Sequence, residues 1–472
     1  MAEILFIIPP NNFTDMVRNQ KYKKSKGYYV YYPHLGISYI ASVLLKSNFK
    51  VEILDSLVNH LTEEEIIKIL KKKNPKIIGI TVTTPTLPVV YSLVERIKEN
   101  LSSIVVVGGP HISFYPEMSF FLKADFGIAG EADYSFLQLA NFLLREEGKK
   151  ENIKGLIWKE NSKIFQNQKE IIENLDEIPF PARELLENQK YVNPVCSEKT
   201  TSIITTRGCP FSCLFCSRAV RERNYSERSV ENVIEEIKEI TEKFKIKYIT
   251  FMDETFTYNQ ERAENIAREI LKNNLKIKWA AQTRVNLVSL QLLKIFKEAG
   301  CVNLSFGVES GKEEIRKILK KPISYSEYKE FVEMCKKAGI ETNAYYMLGH
   351  PNETLQDIKE TINFAKRLDT DYASFNITNI FPGSPLYEEM RKKNLISENI
   401  WEEFTLGRKE LPVYLPEGVK RRELEKMIGV AFRSFYFRPK IIYRKFKKLK
   451  NFSDFFHHLK IAFIILKDYF FA

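Results

Sequence analysis

The chain has 472 residues, 44% of them hydrophobic and 28% charged, with a formal net charge of +12. That length exceeds one ordinary domain, and the apolar content suffices for two packed cores plus a tail. No window reaches the roughly 18 apolar residues of a membrane span. The six cysteines are Cys196, Cys209, Cys213, Cys216, Cys301 and Cys335, with none in residues 1–195, which argues against a disulfide framework.

The apolar start, Ile4 to Ile8, is too short for a signal peptide, lacks a basic leader and reads as a first strand, so a cytoplasmic protein is expected. Strand and helix then alternate: helix over Tyr39–Leu45, strand Lys50–Asp55, helix Glu63–Lys73, strand Ile77–Val82, helix Val89–Asn100 and strand Ile104–Val107. Such alternation with short connections predicts a parallel sheet flanked by helices, a Rossmann-like domain over residues 1–150. Ligands on this architecture bind beyond the carboxyl ends of the strands. Three clusters fall there: Thr81–Thr86 with Thr83, then Gly108-Gly109-Pro110-His111, then Gly130-Glu131. Small residues let a large group approach the backbone, although glycines also simply close tight turns.

Residues 151–200 read as a connector, with a small hairpin strand at Ile153–Trp158 and a proline-punctuated linker at Asp176–Pro181. From Ser202 a second unit, 201–400, repeats the pattern. Val230, Val233, Ile234, Ile237, Ile240 and Phe244 mark a helix with one buried face. Strands are expected at Ser202–Thr206, Tyr248–Met252, Ile277–Gln282, Val302–Val308, Glu341–Leu348 and Asp371–Ile380, with helices at Arg262–Asn273, Val288–Gly300 and Tyr325–Ala338 between them. Six strand-helix units make a partial (β/α)6 barrel, whose chemistry belongs at the carboxyl ends of its strands.

Those ends carry Asp253 and Glu254, Gln282 to Arg284, Glu309 and Ser310, and Gly349-His350-Pro351. The first barrel strand runs into Arg207-Gly208-Cys209-Pro-Phe-Ser-Cys213-Leu-Phe-Cys216. A closed iron-sulfur or zinc site takes four protein ligands, so three thiolates leave one position for a reacting molecule. A zinc knuckle with a distant fourth ligand, or three buried thiols, are the alternatives. A zwitterionic cosubstrate would need what the rim offers: an acceptor for its ammonium, a cation for its carboxylate and an acid for hydroxyls.

The cysteine spacing resembles the signature of the radical S-adenosylmethionine enzymes. The resemblance implies a 4Fe-4S cluster on Cys209, Cys213 and Cys216, with S-adenosylmethionine on the fourth iron. It also implies Phe215 against the adenine, Asp253 and Glu254 near the amine, Arg284 near the carboxylate and Glu309 on the ribose. Pro33-His34-Leu35-Gly36-Ile37-Ser38-Tyr39, Val107 to His111 and Gly130-Glu131 resemble the cobalamin-binding domain that precedes the barrel in one large class of these enzymes. Thr83, Gly108, Gly109, Gly130 and Glu131 then become cobalamin contacts by resemblance. The Asp-x-His-x-x-Gly string that supplies a histidine to cobalt is missing, which implies cobalamin without a protein histidine, or a degenerate domain that binds nothing. His34, His111 and His350 are expected to be loop hydrogen-bonders, and Cys301 and Cys335 buried small hydrophobes.

The resemblance implies methyl transfer to an unactivated carbon, with a radical cyclase or rearrangement enzyme as the alternative and an electron donor such as flavodoxin or ferredoxin as partner. A methylthiotransferase fits less well, because its three additional N-terminal cysteines have no counterpart. The substrate is expected to be a small molecule or lipid-like. From Glu417 on, 14 Lys+Arg face 5 Asp+Glu, so residues 401–472 are expected to be a helical basic tail. Such a tail suits a membrane surface, an acidic substrate or a cap on the barrel. Nucleic acid, bound by a protein whose cluster is structural, is the reading from a different class.

Overall fold

The structure, a computed structural model, describes residues 2–10, 32–193, 196–217, 220–221 and 224–447. Strands β1 (Ile4–Ile8), β2 (Val51–Asp55), β3 (Ile77–Thr81), β4 (Ile104–Gly108) and β5 (Phe126–Ile128) are parallel, in the order β2-β1-β3-β4-β5. The hairpin β6 (Leu156–Glu160) and β7 (Lys163–Gln166) extends this sheet antiparallel past β5. All five residues of β1 are buried, as a central strand covered on both faces requires. The chain leaves β1 for β2 on one side and returns for β3 on the other. The loops at their carboxyl ends therefore diverge and open a crevice there.

The second sheet is also parallel: β8 (Thr200–Ile203), β11 (Tyr248–Phe251), β12 (Lys278–Gln282), β13 (Cys301–Glu309), β14 (Glu341–Leu348) and β15 (Tyr372–Ile377), neighbours in that order. This is the six-stranded open barrel expected. Its helices Val230–Glu242, Gln260–Lys272, Leu290–Glu298, Tyr325–Ala338 and Leu355–Leu368 each start at a Ser, Asn or Thr that accepts a hydrogen bond from a first-turn N–H. Each such cap is worth about 1 kcal/mol. Ser289 is one of them, which is why the helix expected from Val288 begins at Leu290.

The first barrel strand stops at Ile203 and does not continue to Thr206. The Thr205 and Thr206 N–H groups turn away to the Asp253 carboxylate, at 2.6 and 3.0 Å. Beyond that turn β9 (Thr206–Arg207) pairs antiparallel with β10 (Ser226–Glu227), and these two short strands close the base of the cysteine loop.

The tail helix Arg421–Tyr436 packs Ala431 and Phe435 into the barrel's outer core. The Tyr436 hydroxyl accepts from the Ala373 N–H at 3.1 Å and donates to the Ala373 carbonyl at 2.8 Å, so it covers edge strand β15. Asp369 collects Lys336, Arg438, Lys440 and Arg444 around one carboxylate and pins the next helix, Pro439–Lys447. Up to Lys447 the tail is thus a cap on the barrel. The apolar stretch Leu459–Ala472 lies outside the described residues. Among the described residues no helix is long and apolar enough to cross a membrane.

Candidate active site

A cavity of about 640 Å³ lies between the carboxyl ends of the two sheets. The first sheet lines it with Phe6, Gly79, Thr81, Thr83, Gly108, Gly109, Gly130 and Glu131; the barrel contributes Arg207, Gly208, Cys209, Cys216, Met252 and Glu254. The glycines are required locally. At Gly79 a β-carbon would stand 2.5 Å from the Phe6 ring, and Gly109 holds φ +109° with its absent β-carbon 2.8 Å from the Val82 carbonyl. The result is a bare backbone floor under a largely apolar space, which is what a broad, flat ligand needs.

Cys209 and Cys216 reach this cavity, while Cys213 points to the barrel rim. Burial raises the Cys213 thiol above its usual range, and Lys321, Glu309 and Arg284 are the charges that act on it most strongly. The Cys209 sulfur stands 4.0 Å from the Thr255 hydroxyl. The loop's tip is pinned by the Leu214 N–H on the Leu319 carbonyl, 3.2 Å, and by the Leu386 N–H on the Leu214 carbonyl, 2.9 Å. Gly208 adopts φ +86° where a β-carbon would collide with the Asn224 carbonyl. Among the described residues no three His, Cys, Asp or Glu side chains converge on a single metal ion. A four-iron cluster asks for something different, because each thiolate binds its own iron.

Around that loop the structure sorts the sequence candidates. Glu309 sits at a register shift between β13 and β14 with φ +68° and is 5% exposed; its Oε1 accepts from Lys321 Nζ at 2.8 Å. Arg284 stacks over the Phe211 ring at 3.9 Å, and its Nε is buried without a hydrogen-bond partner, a donor left for a ligand. Glu254 opens onto the cavity, and the protein mass around it raises its carboxyl pKa. Phe215 is half-buried, its ring 6.5 Å from that of His350.

Asp253 lies deeper than Glu254. It is fully buried, its oxygens are taken by the Thr205 and Thr206 backbone N–H groups and the Thr205 hydroxyl, and it does not line the cavity. It shapes the turn before the cysteines. Burial raises its pKa, opposed by those hydrogen bonds. Glu131 has partners of its own. Although it borders the cavity, its carboxylate is spent on Arg207 at 2.7 Å, Arg221 at 2.8 Å and the Ile172 N–H at 2.7 Å.

The histidines are hydrogen-bonders. His111 Nδ1 bonds the Thr84 hydroxyl at 3.0 Å, His350 Nδ1 the Thr378 hydroxyl at 3.1 Å, and His34 Nδ1 accepts from the Ile37 N–H at 3.3 Å as a helix cap. Burial lowers His111 and His350 to about 3, so both are neutral. Cys301 and Cys335 are fully buried small side chains. Lys321, Arg221, Asp133 and Glu353 belong to the site's framework and carry no local sequence motif; the one sequence signal for Lys321 is Gly307, whose missing side chain leaves space for it.

Residues 203–365 match the radical SAM superfamily model, and residues 28–140 match the B12 binding domain model. An uncharacterized methyltransferase of Pyrococcus horikoshii is 36% identical over 416 residues, 87% of this chain and 89% of the relative. The chain belongs to the radical SAM enzymes that carry a B12-binding domain. The cofactors of such radical SAM enzymes are a 4Fe-4S cluster, S-adenosylmethionine and cobalamin, and they need a small-molecule substrate and an external source of electrons. The anaerobic magnesium-protoporphyrin IX monomethyl ester cyclase of Rubrivivax gelatinosus is 26% identical over 89% of this chain and 76% of its own. The fold is that of the radical SAM methyltransferase TsrM from Kitasatospora setae with cobalamin and cluster bound (TM-score 0.72, 15% identity, 93% of this chain and 90% of that one). The cobalamin-dependent radical enzyme OxsB shares it too (TM-score 0.72, 19% identity, 99% and 72%).

The residues present fit these cofactors. The glycine floor suits a corrin-sized group, Cys209 and Cys216 border the same cavity, and Arg284, whose Nε is orphaned, is among the charges that act on Cys213.

Proposed function

We propose that the protein is a methyltransferase acting on an unactivated carbon of a small molecule. When bound, the cluster and S-adenosylmethionine supply a 5'-deoxyadenosyl radical and cobalamin supplies the methyl group. The observation that carries the reading is that Cys209, Cys216 and the Gly108, Gly109 and Gly130 turns border one cavity, so both cofactors face the same volume.

In this reading Cys209, Cys213 and Cys216 hold the cluster, and Thr83, Gly108, Gly109 and Gly130 floor the cobalamin site. Arg284 receives the cosubstrate's carboxylate and Glu254 its ammonium. Glu309, oriented by Lys321, accepts ribose hydroxyls, and Phe215 lies beside the adenine. His34 and His111, already committed to a helix cap and to Thr84, leave cobalt without a protein histidine.

The substrate enters the barrel, whose inner face supports a neutral molecule rich in hydrogen-bonding groups. Strand β14 alternates between half-buried and buried positions, Asn343 and Tyr345 among the half-buried. Ser202 Oγ and Asn343 Oδ1 are buried without partners. A flavodoxin- or ferredoxin-like donor supplies the electron.

The test is anaerobic turnover with trideuteriomethyl S-adenosylmethionine and a metabolite extract from the source cells. A metabolite heavier by one trideuteriomethyl group, formed together with 5'-deoxyadenosine, is the expected result. Substrate-dependent 5'-deoxyadenosine without any labelled metabolite would favour a cyclase instead, the reaction named for the Rubrivivax relative.

A further inference from the structure

Two arginines bracket the cysteine loop, Arg207 two residues before Cys209 and Arg221 five residues after Cys216. Both end on the same oxygen, Glu131 Oε1, at 2.7 and 2.8 Å. Arg207 also forks onto Asp133 at 2.9 and 3.0 Å, and Arg221 continues to the Ser226 hydroxyl at 2.7 Å. Glu131 and Asp133 come from the other sheet, directly after the Gly130 turn that borders the cavity.

The quartet is balanced in charge, two carboxylates against two guanidinium groups, and three of its members, Glu131, Asp133 and Arg221, are buried at the edge of the cavity. A buried carboxylate left without its cation is costly, so none of these four side chains can shift without carrying its partners with it. Between β9 and β10 the described loop residues form no helix or strand of their own. Two of the loop's anchors are this quartet and the Leu214 contacts at its tip, and the quartet is the one that reaches the residues following the Gly130 turn among the described residues.

We propose that Glu131 is a positioning residue that couples the two cofactor sites. By tying both ends of the cysteine loop to the Gly130 turn, it makes binding at one site prepay the ordering of the other. A ligand seated against Gly130 fixes Glu131 and with it Arg207 and Arg221; a cluster on the loop fixes the same arginines from the other side. Each then binds a site already ordered by its neighbour, which is positive coupling by shared ordering, and it is reciprocal. The coupling rests on the reading that cobalamin occupies the cavity and the cluster the three cysteines.

The test is an anaerobic absorbance titration of hydroxocobalamin into full-length protein with and without its reconstituted cluster, iron content being measured in parallel. In the wild type, cluster assembly tightens hydroxocobalamin by about 5- to 10-fold, the lower range of ordinary coupling. In Glu131→Gln that ratio falls to about one while iron content stays near the wild-type value. Arg221→Gln gives the same loss and serves if Glu131→Gln does not fold. A residue that only stabilised the fold would lower both affinities together and leave the ratio unchanged. A wild-type ratio of one, or a ratio that survives both substitutions, overturns the coupling alone. Wild-type protein that takes up no cobalamin or no iron contradicts the cofactor reading, and the coupling with it.

Discussion

Lys321 Nζ lies 2.8 Å from Glu309 Oε1, in a space that is open because residue 307 is glycine: a β-carbon there would stand 1.9 Å from that oxygen and 2.5 Å from the ammonium. Burial depresses the Lys321 pKa, but Glu309, with smaller contributions from Tyr328 and Cys213, leaves it above the ordinary lysine value. The contact holds Glu309 at φ +68° with its side chain beside Cys213.

Glu309→Gln is expected to weaken S-adenosylmethionine binding while sparing cluster iron, since it removes a charged acceptor and no metal ligand. A loss of about 1.5–3 kcal/mol matches a hydrogen bond to a charged group. Lys321→Met leaves a buried carboxylate uncompensated and should destabilise the fold by about 3 kcal/mol. Binding titrations and thermal melts check the two; unchanged affinity in Glu309→Gln would remove it from the site.

Gly109→Val should reduce cobalamin binding severely. The position needs φ +109° and its side chain would strike the Val82 carbonyl. Iron content should remain near the wild-type value, because the cysteine loop lies across the cavity. His34→Ala and His111→Ala should leave the bound cobalt spectrum unchanged; a shift to a ligand-lost spectrum would show that one of them reaches the metal.

Glu353 accepts from the Gly349 and His350 N–H groups at 2.7 and 3.0 Å and contacts the Ser310 hydroxyl at 3.2 Å. Burial raises its carboxyl from 4.5 to about 7. A raised acid stabilises the fold fully below its unfolded value, and that contribution is lost as pH rises through about 7. Glu353→Gln mimics the protonated acid, with its oxygen toward the two N–H groups and its amide toward Ser310. The variant should therefore flatten the stability curve between pH 4.5 and 7 and melt higher than the wild type at pH 8. Equal pH slopes in the two proteins would refute the assignment.

His111 and His350 give the opposite slope. Burial lowers both from 6.5 to about 3, so the stability they contribute is present above pH 6.5 and is lost as pH falls toward 3. His111→Gln should reduce the acid sensitivity seen between those limits in denaturant melts, at a cost on the order of 1 kcal/mol at neutral pH for the Thr84 bond.

The strands were legible because their signal is local. Runs such as Ile77–Thr81 and Ile104–Gly108 are buried on both faces and read as continuous apolar segments. The cysteine triad and the glycine turns were legible for the same reason, each being a short motif with its own mechanical requirement. The burial of Asp253 was not legible, because a strand-end acid points outward or inward according to the turn it meets, and here Thr205 and Thr206 bond it. The quartet of Glu131, Asp133, Arg207 and Arg221 was hidden because its partners lie some 75 to 90 residues apart, and Coulomb pairing leaves no periodic mark on a sequence.

The most direct test of the account is reductive cleavage of S-adenosylmethionine by anaerobically reconstituted protein, measured as 5'-deoxyadenosine. The wild type should form it, and Cys209→Ala, Cys213→Ala and Cys216→Ala should each abolish it, while Cys301→Ala and Cys335→Ala keep wild-type iron. Full cleavage by Cys213→Ala would contradict the account.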